Sequence, residues 1–160
     1  MICEIYLVHH SHTDIGYTNH PETVMANQRA YLRRAMRLAE QYADSPYSFK
    51  WTVEVLLTLE DFLRHASPDE VDRLQALHRG VLIYFGGLYG NWSPLADVQI
   101  LAETIGVAAR LRRDYGFALD YALNCDVTGL PWSMVELLLD GGFRGLSIAM
   151  NRTKIGRAHV

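Results

Sequence analysis

Cysteine is scarce in this 160-residue chain, which contains only Cys3 and Cys125. Two thiols so far apart in sequence make neither a disulfide framework nor a cysteine zinc knuckle, so both are expected as reduced core residues. No apolar run approaches the ~20 residues that a membrane helix requires. Lys and Arg number 15 against 18 Asp and Glu, for a formal charge of −3, and they are scattered instead of forming a stripe that could track phosphates. Neither nucleic acid nor a membrane is an expected partner. The segment after Met1 carries Glu4 and runs into histidines, without the charged start and apolar stretch of a secretory signal, which favours the cytoplasm. Internal repeats and low-complexity segments are also missing.

What is present is ordinary globular composition, 49% hydrophobic, 21% charged and 11% aromatic, enough to bury a core. Short apolar runs alternate with longer helix-like patterns, the signature of βα units around a parallel sheet. Strands are expected at residues 2–8, 49–53, 81–85, 119–123 and 146–150. Helices are expected from Pro21 to about Ala43, Val55 to His65, Ser67 to about His78, Leu95 to Tyr115 and Trp132 to Leu139. The third opens on a capping-box pattern, Ser67 with Glu70 three positions later, and the fourth is expected to start from the Ser93-Pro94 pair. The apolar face of the first helix should carry Val24, Leu32, Ala35, Met36 and Leu38. Five strands in βα order fit an incomplete α/β barrel or a doubly wound sheet.

In parallel α/β folds, ligand and catalytic groups gather at the carboxyl ends of the strands. The polar residues of this chain fall there: His9 to Asp14 after the first strand, Glu54 after the second, Asn91 and Trp92 after the third, Asn124 and Asp126 after the fourth. In His9-His10-Ser11-His12-Thr13-Asp14, alternate side chains of an extended backbone share a side, so His10, His12 and Asp14 can share a face. Imidazole and carboxylate suit a zinc ion, which takes such ligands at ~2.0–2.2 Å. Asp126 is the best candidate for a third ligand. Its other reading is a cap on the helix expected to begin near Leu130, and Glu54 has a similar capping or pairing alternative. His9 is expected on the face opposite His12.

The run His12-Thr13-Asp14-Ile15-Gly16-Tyr17 resembles the H-x-D-x-G-W/Y signature near the start of glycoside hydrolase family 38, the α-mannosidases. Trp51-Thr52-Val53-Glu54 resembles that family's W-T-x-E stretch, and Asp126-Val127-Thr128-Gly129 its later D-x-x-G segment. Order and broad spacing agree along the chain to about Asn151. The resemblance implies the front part of a seven-stranded parallel β/α barrel, and a retaining hydrolase acting on α-mannosides. It implies one zinc ion, or another divalent metal, on His12, Asp14 and Asp126. Asp126 would double as the nucleophile that forms a glycosyl-enzyme, and Tyr17 would stack on the sugar ring.

Tyr17 stands where tryptophan is frequent in that family, and Thr128 where an aromatic is frequent. The family's fourth ligand, a histidine, and its acid/base aspartate lie further downstream than this sequence reaches, so these residues alone are expected to bind metal weakly and turn over little substrate. Residues 1–154 read as the front of a catalytic β/α domain, and Ile155 to Val160 (IGRAHV), which back-translates into a common adapter sequence, as a non-native tail. Two other readings stand beside this one. The His-Ser-His-Thr-Asp run also resembles the first metal motif of polymerase-and-histidinol-phosphatase-type phosphoesterases, which use further histidines along the barrel. A metal- or sugar-binding α/β module without a competent acid is the non-enzymatic reading.

Overall fold

The computed structural model describes residues 3, 7–12, 14–91, 97–127 and 129–150. Its elements run in the order α1 (Pro21–Gln41), β1 (Trp51–Val53), α2 (Leu56–His65), α3 (Pro68–Arg79), β2 (Ile83–Phe85), α4 (Val98–Tyr115), β3 (Tyr121–Val127), α5 (Ser133–Asp140) and β4 (Gly145–Met150). The alternation of strand and helix is therefore as expected. The strands form two two-stranded sheets, β1 with β2 and β3 with β4, and no closed barrel is found among the described residues. Most of the strand expected at residues 2–8, the Ser93-Pro94 pair and the 155–160 tail lie outside the described residues.

The chain divides into two compact units, one of residues 1–53 and 61–84, the other of residues 54–60 and 85–160. In the first unit, α1 buries Val24, Leu32, Ala35, Met36 and Ala39, the spacing of one helical face, and packs against α3, which buries Leu74 and Leu77. Ala39 rather than the expected Leu38 completes that face. Burying such a stripe stabilises by roughly 25 cal/mol per Å² of apolar surface. Two arginines fasten the helices at their polar margin. Arg33 Nε donates to Glu70 Oε1 at 2.6 Å, and Arg73 Nη2 to Glu40 Oε2 at 2.6 Å. The Arg33 guanidinium also lies 5.4 Å from the centre of the Phe62 ring. The capping box at α3 is present in full, with Ser67 Oγ accepting from Glu70 N and the Glu70 carboxylate accepting from Ser67 N.

In the second unit, β3 and β4 pair in parallel, from Tyr121 opposite Gly145 to Val127 opposite Met150. β3 was expected over residues 119–123, because the apolar run stops there. It runs instead to Val127, with Asn124 fully buried and Cys125 nearly so, and a polar side chain that is buried in a strand marks no boundary of it. α4 begins at Val98, with the Asp97 carboxylate accepting from Gln99 N at 2.7 Å, and not at Leu95 as expected. Aspartate is a strong N-cap and Val98 is the first position it can serve. Arg112 of α4 donates to the carbonyls of Leu119 and Gly141 and lies 4.8 Å over the Phe143 ring, tying the helix to the approach of β3 and to the end of α5. Cys125 is buried as expected, but Cys3 is exposed.

Candidate active site

The segment that carries the histidines is held against β1. His9 O accepts from Thr52 N at 2.8 Å, and His10 forms a parallel bridge with Thr52. One residue on, Ser11 Oγ donates to Gln28 Oε1 of α1 at 3.0 Å. The chain then turns through Ile15 to Tyr17, where Gly16 takes a φ of 80°, a left-handed conformation that L side chains adopt rarely. Thr18 Oγ1 reaches back to Asp14 O at 3.4 Å, and Pro21 opens α1. His12 and Asp14 are thereby fixed between two anchored ends.

The structure brings these two side chains together, with His12 Nε2 3.4 Å from Asp14 Oδ1. Two ligand atoms each about 2.05 Å from a tetrahedral cation stand ~3.3 Å apart, so the pair has the spacing of two ligands on one ion. It opens on a cavity of about 280 Å³ lined also by Thr18, Asn27, Gln28 and Tyr31. Val24, Asn27, Gln28 and Tyr31 follow the i, i+3, i+4, i+7 spacing of one helical face. The polar members of that face were not singled out from sequence. The signal was there, since an apolar stripe beginning at Val24 continues sideways into Asn27, Gln28 and Tyr31. Amide and hydroxyl groups, with the Gln28 amide oriented by Ser11, offer the mixed donors and acceptors that sugar hydroxyls need.

His10 is half-buried beside β1, and His9 stacks on Phe49 at 6.5 Å between ring centres. Tyr17 is 87% exposed on the turn and does not line the cavity. Among the described residues, no group of three or more His, Cys, Asp or Glu side chains gathers within reach of one ion. His65 and His78, which a phosphoesterase would need at strand ends, lie in α2 and α3. The His65 ring is bonded to Asp61 O and that of His78 to Ile83 O. Burial pushes the His78 imidazole below its ordinary range.

Asp126 belongs to the other unit. It does not cap α5, which starts at Ser133 behind Trp132, a residue that makes no capping side-chain bond. It occupies a bulge: Cys125 pairs with Ala149 and Val127 with Met150, while Asp126 between them takes a φ of 56° and is exposed. Aspartate tolerates this region better than most residues. A bulge at the end of a strand re-aims one side chain out of the alternation.

The same unit brings Glu54, which follows β1, and Gly86, which follows β2, against Leu123 within β3. A Cβ on Gly86, just after β2, would lie 2.0 Å from Glu54 O and 3.2 Å from Leu123 Cβ, so only glycine fits between them. Gly86 O accepts from Leu123 N at 2.6 Å. Glu54, 2% exposed, receives Asn91 Nδ2 at 3.1 Å, and Cys125 N donates to Asn91 Oδ1 at 3.2 Å. The Cys125 thiol is pushed up by burial first, then by the negative charges of Glu54 and Asp126.

No protein-family model matches the sequence, and no curated protein matches it. Solved structures do match the fold. An α-mannosidase from Enterococcus faecalis V583 superposes with a TM-score of 0.74 at 13% identity, over 88% of this chain and 16% of that one. A glycosyl hydrolase family 38 protein from Enterococcus faecalis superposes with a TM-score of 0.58 at 12% identity, over 91% of this chain and 23% of that one. The chain thus has the fold of part of these two proteins and spans less than a quarter of either one's length.

Proposed function

We propose that this chain supplies the front part of a retaining glycoside hydrolase, a partial β/α barrel acting on α-mannosides with a divalent cation, zinc first. The observation that carries the proposal is the His12–Asp14 pair, 3.4 Å apart and open to a cavity walled by amide and hydroxyl groups, in a chain whose fold resembles an α-mannosidase and a glycosyl hydrolase family 38 protein. His12, Asp14 and Asp126 are the residues proposed to hold the cation. When bound, it would orient sugar hydroxyls and stabilise developing negative charge.

The chain's own residues divide the remaining work. The Asp126 carboxylate attacks the anomeric carbon and forms an ester as the bond to the leaving oxygen breaks. That oxygen takes a proton from an acid carboxyl about 5–5.5 Å from Asp126, supplied from outside these 160 residues. The same group then removes a proton from water as the ester is cleaved. Tyr17, exposed on its turn, is proposed to cover the sugar ring as a stacking aromatic.

The test uses the full-length protein that carries this chain. It should release p-nitrophenol from p-nitrophenyl α-mannoside, and Asp126→Asn, which tolerates the same backbone region, should cut turnover by about 10⁴-fold or more. A fluorinated mannosyl substrate whose ester hydrolyses slowly should label Asp126, read by peptide mass. Label on another carboxylate, or normal turnover by D126N, would refute the assignment.

A further inference from the structure

The second unit contains a polar relay that the proposed chemistry does not by itself require. Two backbone N–H groups on one edge of β3 find partners in succession. Leu123 N takes the backbone carbonyl of Gly86, and two residues later Cys125 N takes the side-chain carbonyl of Asn91. A carboxamide has here replaced a main-chain acceptor, and it has done so at the last paired residue before the bulge that carries Asp126. The other end of the same amide is committed as well, since Asn91 Nδ2 donates to Glu54 Oε1. Glu54 follows β1 directly and is 2% exposed, so its carboxylate is a fixed, buried acceptor that makes a strong charge-assisted bond. With its donor held by Glu54, the Asn91 carbonyl has one orientation, towards Cys125.

We infer that Asn91, oriented by Glu54, is a positioning residue that pins the backbone at Cys125 and so fixes where the Asp126 carboxylate emerges from β3. Asp126 leaves the ladder at a φ of 56°, and the bond from Cys125 N to Asn91 Oδ1 fixes the backbone immediately before it. The inference rests on the reading of Asp126 as nucleophile. It adds a residue that touches neither sugar nor cation but sets the aim of the attacking oxygen. A displacement of about 1 Å at a reacting group is enough to lose up to roughly a hundredfold in rate.

The experiment measures kcat, KM and the rate of Asp126 labelling by the fluorinated substrate in the full-length protein. Asn91→Ala removes both bonds. Asn91→Asp keeps the acceptor for Cys125 N but sets a carboxylate against Glu54. The exchange E54Q/N91D reverses donor and acceptor in the first bond and leaves the second intact. The expected result is a fall in kcat of about 10- to 100-fold for N91A and N91D, with KM within about threefold, slower labelling in step with kcat, and recovery in E54Q/N91D. In the D126N background, N91A should remove nothing more, because it acts through the missing carboxylate.

A purely structural role predicts a lower unfolding midpoint in N91A and N91D with unchanged kcat below it, and that result would overturn the inference. So would a folded E54Q/N91D protein as slow as N91D, which decides the matter even if N91A fails to fold. Normal turnover by D126N would remove the nucleophile reading itself, whereas loss in D126N with full activity in both Asn91 variants removes the positioning role alone.

Discussion

Cys3 and Cys125 are the same side chain in opposite surroundings. Cys125 is buried in β3 with its thiol pushed up, by burial first and then by Glu54 and Asp126, while Cys3 is exposed. Alkylation with iodoacetamide at pH 8 should therefore modify Cys3 in the native protein and spare Cys125, with a rate difference of at least about tenfold that disappears in denaturant. Peptide mass mapping reads both sites. Equal native rates would mean that β3 is not packed as described. Composition marked both cysteines as core residues and is right for one of them, because burial is set by where the chain runs and not by residue type. The pairing of His12 with Asp14 was legible for the converse reason. Two residues apart on extended backbone, they can hardly avoid each other.

The helices obeyed local rules closely. Ser67 and Glu70 cap α3 reciprocally, so Ser67→Ala should cost about 1 kcal/mol, read as a lower urea midpoint with an unchanged slope. Glu70 also binds α3 to α1 through Arg33, and its carboxyl is held below its ordinary value of 4.5 by the Arg33 bond first and the Ser67 backbone second. Folding thus favours the ionised form. The stability this supplies is complete above pH 4.5 and is lost as pH falls through the lower, folded value. The urea midpoint should therefore drop on acidification below about pH 4.5, and Glu70→Gln should flatten that drop while lowering the midpoint at pH 7. An unchanged acid slope in E70Q would remove Glu70 from the account. Strand ends were less legible than helix caps. Asn124 is fully buried inside β3, so the polarity that seemed to close the strand at Leu123 did not end it.

At the scale of the whole protein, this chain covers 16% and 23% of the two solved structures whose fold it shares. Turnover is accordingly expected from the full-length protein and not from these 160 residues alone. If the proposed function holds, stripping the full-length protein with a strong chelator should abolish hydrolysis of p-nitrophenyl α-mannoside, and added zinc should restore it. His12→Ala and Asp14→Ala should both lower metal content below one ion per protein, read by atomic emission. Activity that survives chelation would refute the metal-dependent reading.

The sequence by itself determined the alternation of helices and strands, the capping box of α3, the short-range pair His12 and Asp14, and the likeness to family 38. All of these depend on residues a few positions apart, whose spacing the covalent chain enforces. Only the tertiary structure decided that β3 runs on to Val127, that Asp126 leaves its ladder in a left-handed bulge, and that Asn91 joins Glu54 to Cys125. Those features arise where distant segments must share hydrogen bonds in a space too crowded for water, and no local pattern records which partners will meet there.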